Sequence, residues 1–141
     1  MELLLRTFRD GDQEPVIRLW KECGLVVPWN DPARDIDRKL EDSPELFFVA
    51  EAHGQIVGTC MAGYEGHRGW IFYLAVLPES RGQGLARTLL DHAEAALLDR
   101  GCPKVELMVR DSNTSVLEFY RHLGYADEPV RVLGKRLIAD Q

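Results

Sequence analysis

The stretch Arg81-Gly82-Gln83-Gly84-Leu85-Ala86 constrains this chain more than any other, because it joins an apolar run ending at Val76-Leu77-Pro78 to a long amphipathic pattern beginning at Leu85. Two glycines let a backbone come close to a ligand, and a helix that starts here aims its unpaired N–H groups and the positive end of its dipole at the same place. On these residues alone two readings stand open: a cradle for a bound anion, and a plain surface turn from strand to helix. The dinucleotide fingerprint is not met, since Arg87 stands where its third glycine belongs, and no Lys-Ser/Thr pair follows to complete a triphosphate loop. What the stretch can hold is one compact phosphate or pyrophosphate, with Arg81 and Arg87 able to add charge-assisted hydrogen bonds.

The pattern on either side predicts a mixed α/β domain. Leu3–Phe8 reads as a first strand, and Val16, Leu19, Trp20 and Cys23 recur at helical spacing up to Gly24. Prolines keep Leu25–Pro32 out of a helix; Trp29 within it is equally readable as a core plug and as a substrate-facing side chain. Ile36 and Leu40 mark a second helix ending near Ser43-Pro44. Leu46–Ala52 and Ile56–Tyr64 form an antiparallel hairpin around His53-Gly54-Gln55. Trp70–Val76 is apolar on both faces, as a central strand covered on each side would be. Leu85, Leu89, Ala93, Ala96 and Leu97 trace a helical stripe up to Arg100-Gly101, and Val105–Val109 then returns as a strand parallel to Trp70–Val76 through a right-handed crossover. Asp111-Ser112-Asn113 can cap a helix carrying Val116, Phe119, Tyr120 and Leu123 and closed by Gly124, and Val130–Ile138 can form a last strand.

With 141 residues, 45% of them hydrophobic, residues 1–141 fit one domain with a core of its own. A net charge of −6 with both signs interspersed argues against a nucleic-acid or anionic-membrane footprint. Cys23, Cys60 and Cys102 lack CxxC or His spacing suited to zinc, so they read as reduced structural thiols, and no metal is expected. No leader pattern and no apolar stretch of membrane length is present, so a soluble, cytoplasmic protein is the expectation.

Coenzyme A carries a pyrophosphate of the kind the glycine turn could cradle. Asn113 and Tyr120 stand seven apart, almost two helical turns, so both can face one groove; a helix cap and a half-buried core tyrosine are the competing readings. These features together resemble the GNAT superfamily of acyl-CoA N-acyltransferases, whose signature Arg/Gln-x-x-Gly-x-Gly/Ala is matched by Arg81, Gly84 and Ala86. The likeness extends to the preceding apolar strand, the Asn-to-Tyr spacing and Phe119-Tyr120-Arg121-His122-Leu123-Gly124-Tyr125. Trp29-Asn30-Asp31-Pro32, Gly63–Gly69, Gly101-Cys102-Pro103-Lys104 and Leu133–Leu137 further resemble the bacterial YpeA branch.

The resemblance implies a mostly antiparallel mixed sheet with helices on both faces and a V-shaped split between two parallel strands, where acetyl-CoA would lie. Main-chain groups of Leu74, Ala75 and Val76 would pair with the pantetheine and help polarise the thioester carbonyl. N–H groups of Gly82, Gln83, Gly84, Leu85, Ala86 and Arg87 would hold the pyrophosphate, Asn113 would contact the pantetheine arm, and Tyr120 would protonate the departing thiolate. In related ribosomal-protein alanine N-acetyltransferases a Glu on the second split strand is the base; that position is Met108 here. Glu106, Glu65, His67 or an ordered water chain are the substitutes. Cys60 and Cys102 have no sequence-visible base beside them, so a covalent acyl-enzyme is set aside.

The expected activity is transfer of acetyl from acetyl-CoA to a primary amine of a small molecule or protein, by direct attack in a ternary complex. A non-catalytic acyl-CoA sensor is the alternative that Met108 raises, and a binder of another phosphorylated ligand ranks below it. The acceptor would be chosen by Leu25–Pro32, Tyr64–Gly69 and Val130–Lys135, and the family suggests a homodimer.

Overall fold

Alternating burial along the chain resolves into a sheet of five strands among the described residues, Glu2–Asp140 of the computed structural model. They are β1 (Leu3–Thr7), β2 (Phe47–Ala52), β3 (Gln55–Tyr64), β4 (Gly69–Val76) and β5 (Val105–Leu107), in spatial order β1-β2-β3-β4-β5. The first four pair antiparallel, and β5 joins β4 in parallel. The β2–β3 turn is set locally: His53 and Gly54 have φ of 53° and 74°, the left-handed pair that suits the twist of a two-residue hairpin loop.

Helices cover both faces. α1 (Gln13–Glu22) and α2 (Pro32–Asp42) lie on one, α3 (Leu85–Asp99) on the other, and α4 (Thr114–His122) follows β5. α3 buries Leu85, Leu89, Leu90, Ala93 and Leu97, the expected stripe with Leu90 added and Ala96 only half-buried. It sits close on the sheet because Gly58 has no side chain: a Cβ there would meet Leu89 Cδ1 at 2.8 Å and the Ala75 carbonyl at 3.1 Å. On the α1 face, Trp20 is fully buried and stacks between Tyr73, at 3.7 Å between ring centroids, and Phe47. Asp31 starts α2 by accepting the N–H groups of Ala33 and Arg34, with Pro32 in the first turn where its missing N–H costs nothing.

Three expectations need correction. Val130–Ile138 is not a strand: residues 126–139 are irregular and exposed, and they carry Val132, Leu133 and Leu137 on the surface. Alternating apolar residues propose a strand, but a strand exists only where a partner edge accepts its hydrogen bonds, and here none does. β5 stops at Leu107 rather than Val109. β4 is an inner strand but is not covered on both faces, since Phe72 is 40% exposed and Trp70, Tyr73 and Leu74 are half-buried.

Candidate active site

The site begins with a fork. β4 and β5 share the pairs Gly69↔Val105, Trp70↔Glu106 and Ile71↔Leu107, and then β5 ends while β4 continues against β3 to Val76. Phe72 and Met108, the first residues past the last pair, are both exposed at the lip of this split. At the same level β4 bulges, its register with β3 shifting between Thr59 and Met61 and Tyr73 adopting a φ of 52°. A bulge redirects backbone groups, and this one is fixed from both sides. The buried Thr59 hydroxyl donates to the Tyr73 carbonyl at 2.8 Å and accepts the Trp20 indole N–H at 2.9 Å. Tyr73 donates its phenol to Asp35 at 2.6 Å. Since the C=O and the following N–H of a trans peptide point in opposite directions, the Leu74 N–H is aimed away from Thr59.

Beyond β4, a single 3-10 turn (Pro78–Ser80) leads into the glycine stretch. Gly82 and Gly84 have φ of 82° and 76°, and nothing lies within 4 Å of where their Cβ atoms would be. Glycine is needed here for its backbone conformation rather than for room. Gly84 occupies the N-cap position of α3 without a side-chain cap, and its carbonyl receives the first helical bond, from Thr88. No main-chain acceptor among the described residues serves the N–H groups of Gly82, Gln83, Gly84, Leu85, Ala86 or Arg87. That unpaired row lies at the positive end of a 15-residue helix, where N–H groups and dipole both favour negative charge.

The arginines behave differently from the expectation. Arg81 turns back, donating through Nε to the Val76 carbonyl at 3.1 Å and lying 3.5 Å from Cys23 Sγ, so its guanidinium braces the end of β4 rather than the cradle. The Val76 carbonyl also accepts from Cys23 Sγ, and Ala75 is paired with Thr59 with its carbonyl turned toward Gly58 of β3, which leaves Leu74 as the β4 residue whose main chain faces the fork. Arg87 is exposed, 3.9 Å from Asp91.

Tyr120 is half-buried on α4, its ring edge-on to Phe119 and Tyr125. Burial, with Cys60 nearby, pushes its phenol up to about 12, so it holds its proton. It opens on a cavity of about 1390 Å³ whose wall includes Glu94, Glu106, Met108 and Tyr125. Tyr125 donates to Glu94 at 2.5 Å. Asn113 is the N-cap residue of α4 but makes no capping bond with its side chain.

Of the base candidates, Glu106 is brought onto the same wall as Tyr120 and lies 3.5 Å from Arg68. His67 is not brought there. It lines an adjoining cavity of about 410 Å³ that shares Trp70 and Glu106 with the larger one but does not reach Tyr120. Glu65 is occupied locally, accepting the N–H groups of His67 and Arg68. Cys60 is fully buried and its thiol is pushed up to about 12, unsuited to a nucleophile. Trp29, 48% exposed, is no core plug. Thr59, Asp35 and Tyr73 were not singled out from sequence; a lone hydroxyl inside the apolar run Ile56–Met61 is the one signal that could have pointed to Thr59.

The profile of the Acetyltransferase (GNAT) family matches residues 5–125. The chain belongs to that family. An acetyltransferase of Yersinia enterocolitica is 51% identical to this GNAT protein over 137 residues, 97% of each chain. Among solved structures, Ard1 from Thermoplasma volcanium shares the fold with a TM-score of 0.80 at 24% identity, covering 89% of this chain and 84% of its own. A predicted acetyltransferase from Clostridium acetobutylicum, in a crystal structure with acetyl-CoA, has a TM-score of 0.73 at 20% identity, covering 95% and 96%. The GNAT assignment accounts for the mixed sheet and the parallel β4–β5 pair. No helix among the described residues is long and apolar enough to cross a membrane.

Proposed function

We propose that this GNAT acetyltransferase moves acetyl from acetyl-CoA to a primary amine of a small molecule or protein, by direct attack in a ternary complex. The observation that carries the reading is the row of unpaired N–H groups from Gly82 to Arg87 at the end of the strand that forms the fork. A pyrophosphate suits that row in charge and in its number of acceptors. The fork edge at Leu74 offers main-chain groups to an extended amide-bearing arm, and Asn113 has an uncommitted amide for the same arm.

When bound, acetyl-CoA supplies an acyl carbon activated by its thioester and a thiolate that can leave. The Leu74 N–H, fixed by the bulge, is the donor for the acyl oxygen, where charge develops as the amine attacks. Tyr120 holds a proton at its phenol for the departing sulfur. Glu106 receives the proton lost by the amine, and solvent then restores both side chains. No enzyme nucleophile is required, consistent with the burial of Cys60 and Cys102.

A free-thiol release screen with acetyl-CoA against polyamines, amino acids, aminoglycosides and N-terminal peptides tests the reading. With an accepted amine, Tyr120→Phe is expected to lower kcat by about a hundredfold or more while leaving acetyl-CoA affinity nearly unchanged. Undiminished turnover would remove Tyr120 from the acid role.

A further inference from the structure

Apart from the fork, the densest group of charged side chains lies between α2 and the irregular segment after α4. Arg34 and Arg38, one helical turn apart on α2, both reach Asp140. Arg38 donates to its two oxygens at 2.7 and 2.9 Å, the bidentate fork that guanidinium and carboxylate form, and Arg34 adds a third bond at 3.3 Å. Arg136 lies 3.6 Å away and is itself anchored to the Asn30 side chain. The Asp140 carboxylate is 1% exposed, although its two α2 partners are about half exposed.

Charge balance says what the pocket requires. Asp31 stands 3.7 Å from Arg34 and Asp35 3.8 Å from Arg38, so three arginines face two aspartates until a further carboxylate enters. The segment that carries this carboxylate is held by side chains alone, Asp127 to Arg121, Glu128 to Lys104 and Arg136 to Asn30. Residues 126–139 are exposed throughout, and no main-chain hydrogen bond among the described residues ties 126–140 to the rest of the protein. With Arg136 held to Asn30, a change confined to residues 137–140 would carry Asp140 out of the cluster. The cluster is linked through side chains to the fork: Asp35, beside Arg38, accepts the phenol of Tyr73, the residue before Leu74.

We infer that Arg34, Arg38 and Arg136 form a carboxylate-binding site for the acceptor, which Asp140 fills from the same chain until an amine bearing its own carboxylate displaces it. This deepens the acetyltransferase reading and rests on it for the word acceptor; the site itself can be tested without turnover. Asp140 acts as an internal competitor, at an effective concentration of the order of millimolar, and reduces the fraction of protein ready to bind.

The probe is N-acetyl-β-alanine, with its carboxamide as control, titrated by nuclear magnetic resonance into the full chain as wild type, Asp140→Asn and Asp140→Asn/Arg38→Gln. The acid is expected to bind Asp140→Asn about tenfold more tightly than wild type, to lose that gain in the double variant, and to exceed the carboxamide throughout. Asp140→Ala repeats the comparison with a side chain that cannot hydrogen-bond to Arg38. Equal affinity of wild type and both Asp140 variants, or equal binding of acid and carboxamide, would overturn the site. A thiol-release screen in which every amine fails would count against acetyl transfer alone, because the binding difference is read separately.

Discussion

Replacing Thr59 by Val tests whether the β4 bulge is set by one buried hydroxyl. Thr59 is fully buried, and its oxygen both accepts from Trp20 Nε1 and donates to the Tyr73 carbonyl. Valine keeps the shape and removes both bonds, leaving an indole N–H and a carbonyl without partners, each at about 1–3 kcal/mol. The added methyl returns about 0.8 kcal/mol of burial, so the net loss is about 1–5 kcal/mol, centred near 3. Urea unfolding should show a lower midpoint at unchanged m, and a cycle with Trp20→Phe should give a coupling of about 0.5–3 kcal/mol, since the two side chains share a bond. Activity provides the second readout. With the Tyr73 carbonyl released from Thr59 and only the phenol still held by Asp35, the Leu74 N–H is less firmly directed and kcat/KM should fall at temperatures where the variant is fully folded. A loss of stability under about 0.5 kcal/mol would refute the hydrogen-bond accounting, and an unaltered kcat/KM would refute the claim that Thr59 orients Leu74.

Two further outcomes follow from the same geometry. Gly84→Val forces a β-branched residue to a φ of 76°, so acetyl-CoA binding measured by calorimetry should fall below detection while α3, whose first intrahelical bond uses the residue 84 carbonyl, keeps its circular dichroism; normal affinity would mean the cradle is not the donor site. The phenols of Tyr73, Tyr120 and Tyr125 are all raised, chiefly by burial, Tyr120 to about 12, so the folded state keeps protons that the unfolded chain has released. Their contribution to stability is therefore complete below the ordinary phenol value of about 10 and is lost as pH climbs from there through the folded values; a urea midpoint that stays flat between about pH 9 and pH 11 would contradict it.

What was legible in the sequence divides along a physical line. Features fixed within a few residues could be read directly: the glycine turn, because positive φ at Gly82 and Gly84 is a local demand, and the stripe of α3, because helical periodicity is local as well. The fork was legible only through resemblance, since nothing in Val105–Val109 says that pairing stops at Leu107. Val130–Ile138 misled because alternation describes a strand's faces and not its partner. The direction of the Arg81 side chain was equally hidden, as Val76 and Cys23 compete for it only after the chain has folded. The Asp140 clamp joins residues more than a hundred positions apart, and no spacing rule links so distant an aspartate to two arginines on α2. On the proposed reading, the donor half of this enzyme rests on local backbone demands, the positive φ of Gly82 and Gly84 among them. The proposed acceptor half rests instead on long-range side-chain pairings such as Arg38 with Asp140, and that is why Gly84 could be read before folding and Arg38 could not.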